Sequence, residues 1–216
     1  MSTSDADRVA AGSRPARAPS RTRRRRRRLI GALAAAAVVV IVVVASRGPI
    51  DHAIRSITLP LRDASIIRQQ AAEKHLDPAL IAAIIYQESR FEDRTSSTGA
   101  TGLMQILPST ARAIAKRSGG SAFVPTDLAT PQVNISYGSY YLRLLINHYG
   151  GNLTLAVAAY NAGQQNVDHW VSRAGGPKRF DPATDIPFAE TRAYVRSVSD
   201  HRRSYRQSYA KELGYA

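Results

Sequence analysis

The chain has 216 residues, enough for one ordinary domain with appendages, and no cysteine, which excludes disulfides, a thiolate nucleophile and Cys-ligated zinc. Its formal net charge of +14 is unevenly placed. Residues 1–28 hold ten Arg against two Asp, so more than half of the excess belongs to a tail and says little about any folded surface.

That tail is rich in Ser, Ala and Arg, ends in six arginines (Arg23 to Arg28), and offers nothing apolar to offset the entropy of folding. It is predicted to be disordered. Such a run could by itself bind nucleic acid, but its position argues against that partner. Leu29 to Ala45 follow at once, seventeen residues without a charge and dominated by Ala and Val. That length is at the short end of what spans a bilayer. Basic residues ahead of it and only Arg47 soon after predict a single-pass anchor with the N-terminus cytoplasmic and the remainder outside the cell membrane. A cleaved signal peptide competes, with Val43-Val44-Ala45 as a weak cleavage site, although this core is long for a signal. A buried soluble helix fits poorly, since the run has no polar face.

Residues 46–62, with Gly48-Pro49 and Leu59-Pro60, read as a stalk. The folded domain is expected over residues 63–212, and it reads as helix after helix. Asp63 is placed to cap a helix running to about His75. Asp77-Pro78 is a cap-plus-first-turn signature for the next, which reaches Glu88. Pro108-Ser109 opens a third, closed by Gly119-Gly120. Thr130-Pro131 opens the longest, with Val133, Tyr137, Tyr140, Tyr141, Leu144, Leu145 and His148 as its expected inward stripe. Asn152 caps Leu153 to Ala162 and Gly163 stops it. A short helix around Asn166 to Val171 and a last one after Pro187, running towards Tyr209, complete a mainly α fold. Strand alternation is nearly absent, leaving room only for a small β-hairpin near 95–103 or 175–186.

Chemistry concentrates between Tyr86 and Gln105. Ile81, Ile84 and Ile85 stand seven, four and three residues ahead of Glu88, on its face of the helix. Desolvation on such a face favours a neutral carboxyl, which suits a general acid near neutral pH. The alternative is a Glu that snorkels past the helix end or caps another helix. Glu92 and Asp93 lie in a polar loop and read as solvated, while Ser89 lacks a His-Asp pair and reads as a hydrogen-bonding residue at the helix end. No HExxH or comparable spacing points to a metal, and Gly175 to Arg179 lack the strand-Gly-helix setting of a phosphate loop, so no cofactor is expected.

Four blocks occur in one order: Glu88-Ser89-x-Phe91; Gly99-Ala100-x-Gly102-Leu103-Met104-Gln105-Ile106-x-Pro108-x-Thr110-Ala111; Ala159-Tyr160-Asn161-Ala162-Gly163; and Glu190-Thr191-Arg192-x-Tyr194-Val195. Together they resemble the SLT-type lytic transglycosylases, whose catalytic domain is lysozyme-like. The resemblance covers about residues 65–205. It implies cleavage of the β-1,4 bond between N-acetylmuramic acid and N-acetylglucosamine in peptidoglycan glycan strands, leaving a 1,6-anhydromuramoyl end. It implies Glu88 as the acid and base. Gln105, Tyr160 and Glu190 would line the groove or support the acid, with Met104 as an apolar wall and Asn161 shaping the turn that presents Tyr160. The chain departs from the family pattern at Asp93, where a Pro is usual, and its loop to Gly99-Ala100 is one residue shorter. The family's serine, expected to hold the N-acetyl group, therefore falls on Ser96 or Ser97. A hydrolytic muramidase on the same fold and a catalytically silent peptidoglycan-binding domain are the alternatives. No regulatory protein partner can be named from the sequence.

Overall fold

The computed structural model describes residues 57–119 and 122–215. The basic tail, the apolar run 29–45 and most of the expected stalk lie outside the described residues. The chain divides between Ile54 and Arg55, and the described residues all belong to the second unit.

In order, the described residues form α1 (Ala64–Lys74), α2 (Pro78–Ser89), α3 (Pro108–Ser118), a 3₁₀ turn (Pro125–Ala129), α4 (Pro131–His148), α5 (Leu153–Ala162), α6 (Gln164–Arg173) and α7 (Ala189–Ser208). None of these is long and apolar enough to cross a membrane. Helix α2 is the centre of the packing. Pro78 pre-sets its first turn, and the Asp77 carboxylate accepts from Ala79 N at 3.0 Å. From Ala79 to Ile85 every residue is buried, so this helix is wrapped on all sides rather than along one stripe. It ends where Arg90 and Phe91 turn to φ 55° and 63°, a conformation that L side chains adopt at a cost. Burial of the Phe91 ring, 2 % exposed, holds that turn in place.

Helix α7 lies along α2, burying Thr191, Tyr194, Val195, Val198 and Tyr205. The end of the expected stalk belongs to this packing: the Tyr209 hydroxyl donates to Leu59 O at 2.8 Å and Tyr205 to Pro60 O at 2.6 Å. The folded unit therefore begins a few residues ahead of Asp63. Asp63 starts α1 without capping it, because at φ 54° its carboxylate makes no bond to the first turn.

Between α2 and α3 the chain forms a loop with two isolated antiparallel bridges, Thr95 to Thr101 and Thr101 to Ile106, and no strand is formed among the described residues. Instead of a hairpin ladder, one side chain from α4 organises this loop. Asn134, 1 % exposed, donates to Thr101 O at 2.8 Å and Leu128 O at 2.9 Å, and accepts from Met104 N at 2.7 Å. Gly102, at φ 78°, makes room for it, since a Cβ there would overlap the Asn134 amide and lie 2.6 Å from Leu128 O.

The same packing corrects the inward stripe expected on α4. The buried residues are Asn134, Ile135, Gly138, Ser139, Leu142, Leu145 and Ile146, which share only Leu145 with the expected set. A side chain at Gly138 would bring its Cβ within 2.7 Å of the Met104 Cβ, so α4 offers its small residues to the loop. Its tyrosines are left half-buried on the flank. His148 is exposed, bonded to Asp168 at 2.8 Å.

Candidate active site

Glu88 sits in the last turn of α2, half-buried, and its Oε1 accepts from the Tyr194 hydroxyl of α7 at 2.5 Å. Burial penalises the anion and pushes the carboxyl up from 4.5 to about 7, against the Tyr194 hydrogen bond and the Arg94 charge, which both favour ionisation. Among the described residues no second carboxylate acts on it. Glu92 and Asp93 are exposed.

Tyr160, from the last turn of α5, closes the other side. Its hydroxyl donates to Met104 O at 3.0 Å. Burial first, then the nearby Glu88 charge, hold the Tyr160 and Tyr194 phenols well above their ordinary range, so both stay protonated as donors. Glu88 is thus flanked by two phenols carried on separate helices.

The loop supplies the remaining polar groups. Arg94 Nη2 donates to the Glu88 backbone carbonyl at 2.5 Å. Gln105, at φ 48°, turns its amide inward to donate to Arg94 O at 2.9 Å and Gly102 O at 2.8 Å. Ser89 is buried and donates to Ile85 O at 3.1 Å and Leu103 O at 2.8 Å, fastening the helix end to the loop. Ser96 is half-buried, with its hydroxyl 2.8 Å from Thr98 Oγ1 and accepting from Ala100 N at 3.1 Å; Ser97 is exposed.

A groove of about 310 Å³ runs past this cluster, lined by Gln105, Leu107, Tyr141, Tyr160, Asn161 and Gly163 among others. Tyr141 and Tyr160 meet with ring centroids 5.5 Å apart, and Leu107, 41 % exposed, gives the groove an apolar edge. The structure brings three of the expected residues to it: Gln105, Tyr160 and Asn161. Asn161 Oδ1 also accepts from Thr191 at 2.7 Å, which locks the end of α5 to the start of α7. Glu190 is exposed in the first turn of α7, next to that contact. Met104 is not the wall expected of it. Its side chain is fully buried against Gly138, and only its carbonyl reaches the site, through Tyr160. Tyr194 and Arg94 were not among the expected site residues. Tyr194 was within the fourth sequence block; no local pattern marked Arg94. No group of three His, Cys, Asp or Glu side chains among the described residues is arranged to hold a metal ion.

A half-buried carboxyl that keeps its proton up to about pH 7, near a Tyr160 that lines the groove, can protonate a leaving oxygen and later take a proton back. Several known proteins resemble this chain. The model of the transglycosylase SLT domain matches residues 65–181. The soluble lytic murein transglycosylase of Escherichia coli strain K12 is 34 % identical over 152 residues, covering 68 % of this chain and 23 % of that protein. The membrane-bound lytic murein transglycosylase C of Salmonella arizonae is 30 % identical over 164 residues, covering 66 % of this chain and 46 % of that protein. Among solved structures, the 70 kDa soluble lytic transglycosylase of Escherichia coli matches with a TM-score of 0.67 at 32 % identity, over 74 % of this chain and 27 % of that one. The same enzyme in complex with bulgecin A matches with a TM-score of 0.66 at 32 % identity, over 70 % and 25 %. The matched region spans about a quarter of the length of the soluble relatives.

Proposed function

The chain belongs to the transglycosylase SLT domain family, with its lysozyme-like helical fold, and on that footing we propose that it is a peptidoglycan lytic transglycosylase. It cleaves the bond between N-acetylmuramic acid and N-acetylglucosamine without consuming water. Glu88, neutral at the start, donates its proton to the glycosidic oxygen as that bond breaks. The resulting carboxylate then takes the proton of the muramoyl 6-hydroxyl as this oxygen attacks the anomeric carbon, assisted by the N-acetyl group. The product is a 1,6-anhydro ring, and Glu88 ends as it began.

The observation that carries this reading is the environment of Glu88: burial lifts its carboxyl to about 7, and the charge acting on it is the cation Arg94. Ordinary glycosidases set a second carboxylate about 5 Å or 6.5–9.5 Å away, as nucleophile or as base for water. A substrate that carries its own attacking hydroxyl needs no such group, and the intramolecular attack gains a large proximity advantage. Gln105, Tyr160 and Asn161 line the substrate groove, Glu190 borders it, and Ser96 or Ser97 holds the N-acetyl group. The remaining assignments come from the sequence: residues 29–45 anchor the enzyme in the cell membrane, the tail rests on the anionic inner leaflet, and the catalytic unit faces the wall.

Digestion of purified sacculi with the full chain, followed by mass spectrometry of the released muropeptides, tests the reaction. Anhydro ends, absent with Glu88→Gln, are expected. Reducing ends would make it a hydrolytic muramidase, and binding without products a silent recognition domain.

A further inference from the structure

We propose that Arg94 is a positioning residue that stabilises the ionised half of the Glu88 cycle, holding the end of α2 while setting a cation beside the acid. This rests on the reading of Glu88 as acid and base. Once it has given up its proton, a lone buried carboxylate must survive as an anion until the 6-hydroxyl returns one, and no second acid or metal is assigned to share that burden. The shortened loop meets the need. Arg94 Nη2 donates to the Glu88 carbonyl at 2.5 Å, satisfying an acceptor in the last turn of α2. Its own backbone is braced twice, since Arg94 O accepts from Gly102 N and from the Gln105 side chain, both at 2.9 Å. Gln105, itself held at φ 48°, thereby acts on the acid through Arg94.

The groups facing the Glu88 carboxyl are Tyr194 from α7, Tyr160 from α5 and Arg94 from the loop. The two phenols remain neutral, so Arg94 is the one fixed charge in that set. Its charge favours the Glu88 anion, against the burial that opposes it. Arg94 is exposed, so salt can reach and screen it.

The test is the pH dependence of kcat/KM for release of soluble muropeptides from sacculi by the full chain. The alkaline limb reports Glu88 in the free enzyme. Arg94→Gln should lower kcat about tenfold and move that limb up by about one pH unit, because the anion loses its cation. Arg94→Lys keeps the charge and should leave the limb in place. In the wild type, raising salt from 0.05 to 0.5 M (roughly 14 to 4 Å of screening length) should move the limb upward, and in Arg94→Gln it should not. The wild-type arm of the salt experiment needs no variant to fold. A limb that stays put in Arg94→Gln, or a wild-type limb indifferent to salt, overturns the proposal. If Glu88→Gln retains turnover, the reading of Glu88 fails instead; if that variant is dead and the limb still does not move, the role of Arg94 alone is refuted.

Discussion

Replacing Glu88 by Gln should silence the enzyme and, at alkaline pH, make its folded unit more stable. The folded carboxyl titrates at about 7 against an ordinary 4.5, so the native state binds its proton more tightly than the unfolded chain does. Below pH 4.5 both states are protonated and nothing is lost. As pH rises towards 7 the unfolded chain releases its proton while the folded one retains it, and stability falls throughout that window. Above it the loss is complete, and two and a half pH units correspond to about 3 kcal/mol. Gln has no proton to lose, and its side-chain oxygen still accepts from Tyr194. Wild type and variant should therefore unfold alike at pH 4 and differ at pH 8 by roughly 6–12 °C in Tm, at the 2–4 °C per kcal/mol usual for a domain of this size. Thermal unfolding of both full-length chains in detergent, followed by circular dichroism at the two pH values, measures this. An equal gap at pH 4 and pH 8, or a wild type that gains stability as pH rises, would refute a buried, reluctant anion at this position.

Tyr194→Phe removes the hydroxyl that favours the anion, so the Glu88 carboxyl should titrate higher, and kcat should fall by about 10- to 100-fold with the alkaline limb of kcat/KM displaced upward. Tyr160→Phe, whose lost hydrogen bond runs to Met104 O and not to Glu88, should displace that limb far less; pH–rate profiles of the two separate them. Asn134→Ala strips partners from Met104 N, Thr101 O and Leu128 O and should cost about 3 kcal/mol in urea unfolding. Gly102→Ala should cost as much through its positive φ and its overlap with Asn134, and the double variant less than the sum, because shortening Asn134 removes part of the clash.

Helix boundaries were legible wherever Pro or Gly marked them. Asp77-Pro78, Pro108, Pro131, Asn152 and Gly163 act where the sequence placed them, because capping is local chemistry. The partial burial of Glu88 was legible for the same reason, through isoleucines one and two turns ahead of it. The hydrogen bond that favours its anion is not local. Tyr194 is 106 residues away, and its ring resembled any other packing tyrosine of α7 until α7 was laid along α2. The face of α4 was misread because hydropathy ranks Tyr above Gly, Ser and Asn, while the loop needed small residues and one amide to close against. Met104 was misplaced by the same mechanism, its pocket being made by a glycine on another helix. Arg94 carried no mark in the sequence, since nothing in its neighbours reveals a guanidinium bonded back to a helix end.

The most direct measurement is the titration of Glu88 itself. With side-chain carboxyls labelled with ¹³C in the full chain, and the Glu88 resonance assigned by its absence from Glu88→Gln, chemical shift followed from pH 3 to 9 gives the midpoint without reference to turnover. A midpoint near 7 is expected of the buried proton donor described above. A midpoint in the ordinary range near 4.5 would mean a carboxylate already ionised at neutral pH, and the single-acid chemistry would not stand.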